Sequence, residues 1–247
     1  MTSPDTKAGQ VEAVNILYRD PSLYDAVQSD STAAAMCRRL IEAHHPDART
    51  LIDFGCGTAR DLEILAKRFE CIGVDVHPGM VDYARRTRPG LDVRTGDMRT
   101  VRLGTHVDVL TCLGNTLAYA HSNDDISHVF DTFARHARPG TLLVLCSPVA
   151  PLTGTGPTVS TLETPWGPAT VTIHHGWDLR TQINTTYRHW SFPSGEEARD
   201  EIPRRVLFPR ELEQYAQNAG FEVLDMLDAV GPELTGPTAY TVARRTS

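Results

Sequence analysis

Thr50-Leu51-Ile52-Asp53-Phe54-Gly55-Cys56-Gly57-Thr58-Ala59 is the stretch from which the fold can be read. It starts as a short apolar strand, passes through an acidic turn punctuated by glycines, and enters a helix. The helix is predicted over 60–69, because Leu62, Leu65, Ala66 and Phe69 recur close to the 3.6-residue period. Strand, Gly-rich turn and helix is how an α/β sheet holds a nucleotide-like ligand at its carboxyl edge. At Gly55 and Gly57 the missing Cβ allows positive φ and close approach of a ligand.

The following segments narrow the ligand. Cys71-Ile72-Gly73-Val74-Asp75 reads as the next strand, and Asp75 lies 20 residues after Gly55, where a carboxylate can hold a ribose. A third strand, Leu91-Asp92-Val93-Arg94, leads to Gly96-Asp97-Met98. A dinucleotide site uses G-x-G-x-x-G, but position 60 is Arg60, and Asp53 sits badly against a phosphate. A cationic, phosphate-free adenosine ligand suits three successive acidic turns better.

These residues resemble the class I S-adenosylmethionine-dependent methyltransferases. D-F-G-C-G-T is similar to the family's first motif, which wraps the methionine part of the cofactor. Asp75 matches the acidic residue on the ribose, and Asp97-Met98 the pair at the adenine. Ala59 departs from the pattern, since many members carry a third glycine there. The resemblance covers Leu51 to Pro148 most strongly. It implies S-adenosylmethionine as cofactor, with contacts from Asp53, Gly55, Gly57, Thr58 and Asp75, and from Val76, Asp97, Met98 and Leu113.

Composition bounds the rest. A chain of 247 residues is within the range of one large α/β domain, and 40% apolar residues suffice for a packed core. A net charge of −7 argues against nucleic acid as partner. The five cysteines form no C-x-x-C pair and no metal-ligand spacing, so no metal is expected and a reducing cytoplasm is. Residues 1–10 are polar and read as disordered rather than as a signal peptide, and no apolar run is long enough to span a membrane.

The pattern along the chain predicts one doubly wound α/β domain with an antiparallel insert. Val11 to His45 reads as helical, broken at Pro21, with Ser31-Thr32 capping the second part. Strands are expected near 50–54, 71–75, 91–95, 107–112 and 141–147, and helices near 60–69, 78–87 and 123–137. From Val159 to Phe208 the period drops to two. Thr170–Trp177 and Gln182–Trp190 read as a hairpin, followed by a turn at 193–196 and a strand near 204–208. Glu196-Glu197 with Arg199-Asp200-Glu201 reads as a solvated charged turn. A helix at 209–219 and strands at 221–227 and 238–243 complete a seven-stranded, mostly parallel sheet.

This order resembles small-molecule N-methyltransferases of the amino-sugar N,N-dimethyltransferase and glycine N-methyltransferase types. There an antiparallel insert after the fifth strand roofs the active site, and N-terminal helices close it from the other side. Leu23-Tyr24-Asp25 is similar to their N-terminal tyrosine motif, which implies a cofactor-side role for Tyr24. Leu113-Gly114-Asn115-Thr116-Leu117-Ala118-Tyr119 follows the fourth strand, where acceptor meets methyl group, so Asn115 and Tyr119 are acceptor candidates. No N-P-P-Y-like turn occurs there, which argues against base flipping.

Methyl transfer asks little of the protein beyond alignment of the nucleophile with the S–C bond, worth about 7–11 kcal/mol of barrier. An amine acceptor needs only to arrive neutral, so no prominent catalytic set is required. His121, His174 and His175 are the candidate bases, and His174 and His175 must face opposite sides of their strand. Trp177 and Arg188 are further acceptor candidates, with a solvated edge the simpler reading of Arg188. The expected activity is methyl transfer to a small-molecule amine by a monomer or homodimer. O-methylation is the nearest rival, and a nicotinamide oxidoreductase or a non-catalytic cofactor-binding module are the alternatives of other classes.

Overall fold

The computed structural model describes residues 15–28, 30, 32–154, 156–229, 231 and 233–246. The expectations for residues 1–14 and for Ser31 fall outside the described residues. Three helices come first: α1 (Ile16–Arg19), α2 (Pro21–Val27) and α3 (Thr32–His44). Pro21 does not break a helix so much as start one, because Asp20 caps α2 by accepting the backbone N–H groups of Ser22 and Leu23.

Strand and helix then alternate through β1 (Thr50–Phe54), α4 (Arg60–Leu65), β2 (Glu70–Asp75), α5 (Pro78–Thr87), β3 (Asp92–Thr95) and β4 (Val107–Cys112). A single 3₁₀ turn at Thr116–Tyr119 precedes α6 (Asn123–His136) and β5 (Ala137–Pro148). The helix α4 is shorter than the sequence suggests, ending at Leu65. The strands β6 (Thr158–Leu162), β7 (Ala169–Asp178), β8 (Ile183–Ser191) and β9 (Glu197–Arg205) follow, then α7 (Pro209–Asn218), β10 (Phe221–Leu227) and β11 (Thr238–Arg245).

The larger sheet has the order β10-β11-β5-β4-β1-β2-β3, with β11 antiparallel to both of its neighbours. The strand order reverses between β1 and β4, so the carboxyl ends of these two strands open a crevice at a topological switch point. Alternation along β1 sends Leu51 into one apolar layer with α3 and α4, and Ile52 and Phe54 into the other with α6 and α7. Both faces of the sheet are therefore covered.

The second sheet has four strands, β6-β7-β8-β9, all antiparallel. It corrects the reading of residues 197–201, which form the first part of β9 rather than a solvated turn. Ala198, Asp200 and Ile202 point inward while Glu197, Arg199 and Glu201 point out, a period of two hidden by the charge of Asp200. Asp200 is only 5% exposed because Arg188 of β8 chelates it at 2.9 and 2.5 Å. A third apolar cluster joins this sheet to the N-terminal helices: Leu17 and Leu23 pack with Ala169, Val171 and Trp190. The carboxylate of Asp200 adds to that junction by accepting the backbone N–H of Ile16 at 2.9 Å.

Candidate active site

The turn after β1 is left-handed at three of its positions, with φ of +79° at Gly55, +55° at Gly57 and +65° at Ala59. The first glycine is required by packing within the protein: a Cβ at Gly55 would lie 2.1 Å from Thr116 Cγ2. The second meets an aromatic ring, since a Cβ at Gly57 would lie 3.6 Å from the ring of Tyr24. Ala59 adopts the conformation that a third glycine would take without strain.

Asp75 closes β2 with its carboxylate accepting the N–H of Gly57 and of His77, both at 2.8 Å. Burial pushes its pKa up against these two bonds. Val76 beside it is 61% exposed and offers an apolar shelf at the mouth of the crevice. Met98 is half-buried and Leu113 buried. Asp97, expected at the adenine, has its carboxylate held by Arg99 through contacts of 2.6 to 3.0 Å.

The floor of the crevice is acidic. Asp53 is 3% exposed and accepts a 2.7 Å hydrogen bond from Thr111. Burial pushes its pKa up to about 7, with Asp61 and Asp75 adding to the rise against the Thr111 bond. Burial and the charges of Asp61 and Asp75 likewise push the phenol of Tyr24 well up. A cation bound here relieves that mutual repulsion, whereas a pyrophosphate adds to it. The donor set thus fits S-adenosylmethionine: an open backbone turn, a carboxylate at the end of β2, an apolar shelf and a negative floor.

Above the turn stand three tyrosines. Tyr18 of α1 lies 6.0 Å, ring to ring, from both Tyr24 and Tyr119, and its hydroxyl hydrogen-bonds that of Tyr119 at 2.9 Å. Asn115 holds φ +64°, and its side-chain oxygen is buried without a hydrogen-bond partner. A small cavity of about 40 Å³ lies between the two sheets beside Asn115, lined also by Asn184, Thr186 and Arg204. Tyr18, Asn184, Thr186 and Arg204 are absent from the sequence-based candidates, because nothing local marks one tyrosine or one arginine among many.

The histidines separate. His175 is half-buried on the side of that cavity, bonded to Thr186 Oγ1 at 3.1 Å, while His174 is exposed and stacks on Tyr187. Burial, His174 and Arg204 all lower the pKa of His175. His121 is exposed and within 3.1 Å of the carbonyl of Pro203. Trp177 is half-buried on β7, opposite Asn184. Arg188 is engaged by Asp200 and Asn15, so its guanidinium is turned to the N-terminal junction. No group of metal-ligating side chains occurs among the described residues, and none of the described helices is long and apolar enough to cross a membrane.

Comparison with known proteins agrees with this geometry. Residues 51–140 match the family model described as a methyltransferase domain. This stretch of the chain is similar to methyltransferase domains. The matched stretch runs from β1 to the start of β5 and so contains the turn, Asp75, Asp97 and Asn115. The curated dTDP-4-amino-2,3,4,6-tetradeoxy-D-glucose N,N-dimethyltransferase of Saccharopolyspora spinosa is 33% identical over 129 residues, covering 50% of this chain and 52% of the relative. The chain therefore matches the curated relatives over about half of their length. CalS10, a SAM-bound amino pentose methyltransferase from Micromonospora echinaspora, superposes with a TM-score of 0.76 at 25% identity, covering 99% of this chain and 100% of that one. The sugar N-methyltransferase KedS8 from Streptoalloteichus has the same fold, with a TM-score of 0.79 at 21% identity over 100% of this chain and 98% of that one. The likeness of fold thus runs beyond residues 51–140 to the antiparallel sheet and the N-terminal helices.

Proposed function

We propose that this protein transfers a methyl group from S-adenosylmethionine to the nitrogen of a small amino-sugar acceptor. When bound, S-adenosylmethionine supplies an electrophilic methyl group on a sulfonium. The observation that carries the reading is the ring of Tyr24 packed on Gly57 in the field of Asp61, Asp75 and Asp53, one ring away from Tyr18, which in turn meets Tyr119 on the loop that carries Asn115. In this reading a cation on the Tyr24 side and a neutral amine on the Asn115 side meet at the three tyrosines.

In this reading Gly55, Gly57 and Thr58 receive the methionine part, Asp75 the ribose, and Val76, Met98 and Leu113 the adenine. Asp97 contributes through its backbone, since its carboxylate is held by Arg99. Tyr18, Tyr24 and Tyr119 exclude water and orient the acceptor, whose N–H donates to the unpartnered oxygen of Asn115. A neutral amine already carries its lone pair, so alignment supplies most of the rate, about 7–11 kcal/mol of barrier for well-held reactants. His175, kept neutral by burial and by nearby positive charge, is placed to accept the proton released after transfer. Five free cysteines fit a cytoplasmic setting.

Mass spectrometry of acceptor mixtures tests this. Amino sugars and nucleotide-linked amino sugars incubated with the protein and S-adenosylmethionine are expected to gain the mass of a methylene group at each transfer. Gain of that mass on hydroxyl-only sugars and not on amines overturns the choice of nitrogen. Absence of S-adenosylmethionine binding in calorimetry overturns the reading as a whole.

A further inference from the structure

Asp75 and Tyr18 border the same imidazole. His77 follows Asp75 by two residues and donates its backbone N–H to the Asp75 carboxylate at 2.8 Å. It is the N-cap of α5, yet its side chain takes no part in the cap. The ring packs instead on Gly79, where a Cβ would lie 3.4 Å from both Nδ1 and Cε1. Its other aromatic neighbour is Tyr18, 6.1 Å away between ring centres and tilted by 54°. Tyr18 in turn lies 6.0 Å from Tyr24, whose ring faces Gly57. The imidazole therefore belongs to the group of rings above the turn after β1.

The two nitrogens of His77 have different surroundings. Nδ1 is buried without a hydrogen-bond partner. Buried nitrogens of this kind occur on other side chains as well; at His77 the consequence lies with the second nitrogen of the ring. A proton on Nδ1 would be a buried donor with no acceptor, a defect that native proteins avoid. The proton of the neutral imidazole is therefore assigned to Nε2. Nε2 has no partner among the described residues and is not buried, so this N–H is open to a ligand.

The ring also lies within the electrostatic reach of Asp75. Burial raises the pKa of that carboxylate, while the N–H groups of His77 and Gly57 and a charge on the His77 ring lower it. A ribose at Asp75 presents two hydroxyls, each both donor and acceptor, whereas an ionised carboxylate only accepts. Asp75 satisfies hydroxyl protons and leaves the hydroxyl oxygens in need of a donor. The crevice around it is lined by Asp53, Asp61 and Asp75, so donors among its side chains are scarce.

We propose that His77 is a cofactor-binding residue whose Nε2–H donates to a ribose hydroxyl oxygen of S-adenosylmethionine, while Asp75 accepts from the same ribose. Gly79 gives the ring its seat and Tyr18 holds its other side. The placement of the ribose at Asp75 rests on the methyl-transfer reading above.

Calorimetric titration of the full chain with S-adenosylhomocysteine and with its 2′-deoxy and 3′-deoxy analogues tests this without turnover. His77→Leu fills similar space without a donor and is expected to weaken S-adenosylhomocysteine by about three- to tenfold. The penalty for removing one of the two hydroxyls is expected to be smaller in His77→Leu than in wild type by about the same factor. His77→Gln, whose amide can present an N–H near the place of Nε2, is expected to recover part of the affinity. Equal affinity of wild type and His77→Leu for S-adenosylhomocysteine overturns the proposal. An equal loss in His77→Leu for the parent compound and both analogues also overturns it and assigns the ring to packing. Absence of binding by the wild type strikes the methyl-transfer reading and the proposal with it, whereas binding indifferent to His77 strikes the proposal alone.

Discussion

Thr58 Oγ1 donates a 2.5 Å hydrogen bond to Asp25, the residue after Tyr24, and so ties the helix that carries the tyrosine to the turn beneath it. Arg88 completes the tie: one Nη donates to Asp25 at 2.9 Å and the other to the carbonyl of Thr58 at 3.0 Å. Three elements far apart in the chain, α2, the turn after β1 and the end of α5, are fixed by one carboxylate. Its geometry places the ring of Tyr24 on Gly57.

Asp25→Asn is therefore expected to weaken two functions at once. It leaves a mostly buried Arg88 with the exposed Glu63 as its remaining acid partner. A loss of about 2 kcal/mol in stability is expected for such a partly buried pair, read by urea denaturation. Calorimetry is expected to show a raised Kd for S-adenosylmethionine, and an unchanged Kd would show that the tie serves stability alone.

Gly55→Ala and Gly57→Ala separate packing from backbone strain. Both positions have positive φ, which costs an alanine about 1 kcal/mol. At Gly55 the new methyl also collides with Thr116, whereas at Gly57 it makes ordinary contact with Tyr24. Gly55→Ala should destabilise by about 3 kcal/mol or more and Gly57→Ala by about 1. Equal losses in chemical denaturation would remove the packing argument.

Asp53 gives the fold a pH dependence of definite sign. Its pKa in the folded protein is about 7, raised above the ordinary carboxylate range chiefly by burial. The folded state therefore binds this proton more tightly than the unfolded chain. The resulting stabilisation is complete below the ordinary carboxylate range and is lost as the pH rises through about 7. Asp53→Asn should flatten stability between about pH 4 and 7 relative to wild type. Parallel wild-type and mutant profiles over that interval would contradict the assignment.

The Arg188–Asp200 pair is expected to govern the roof of the site more than its floor. Side-chain exposures of 10% and 1% make it a buried pair, and Arg188 also covers the ring of Trp190 at 4.9 Å. Asp200→Ala leaves that arginine unpaired and frees Ile16, for a loss of about 3–5 kcal/mol. In a variant that still folds, KM for the acceptor should rise by more than Kd for S-adenosylmethionine. The opposite ranking would place the pair with the cofactor.

Replacement of His121 by Asn is expected to leave kcat within about tenfold of wild type, because this ring is exposed and bound to a carbonyl. A loss of three orders of magnitude would make it a base.

Much of the cofactor half is legible in the sequence, because its signals are local. Glycines at 55 and 57, carboxylates at or near the ends of the first three strands and apolar runs between them are properties of short segments. The hydrophobic alternation that assigns Leu51 and Ile52 to opposite layers is of the same kind. The seven-stranded architecture follows from these segments in their order.

The acceptor half is decided by long-range partners that no short segment announces. Asp200 and Arg188 read as charged surface residues until β8 and β9 pair and bury both. Gly55 reads as room for a ligand, yet Thr116, 61 residues later, occupies the space its side chain would need. Arg204 and Arg205 are indistinguishable in sequence. Alternation along β9 turns Arg205 to Glu211 and Arg204 to the ring of Tyr119, because the sign and distance of a partner are set by tertiary packing.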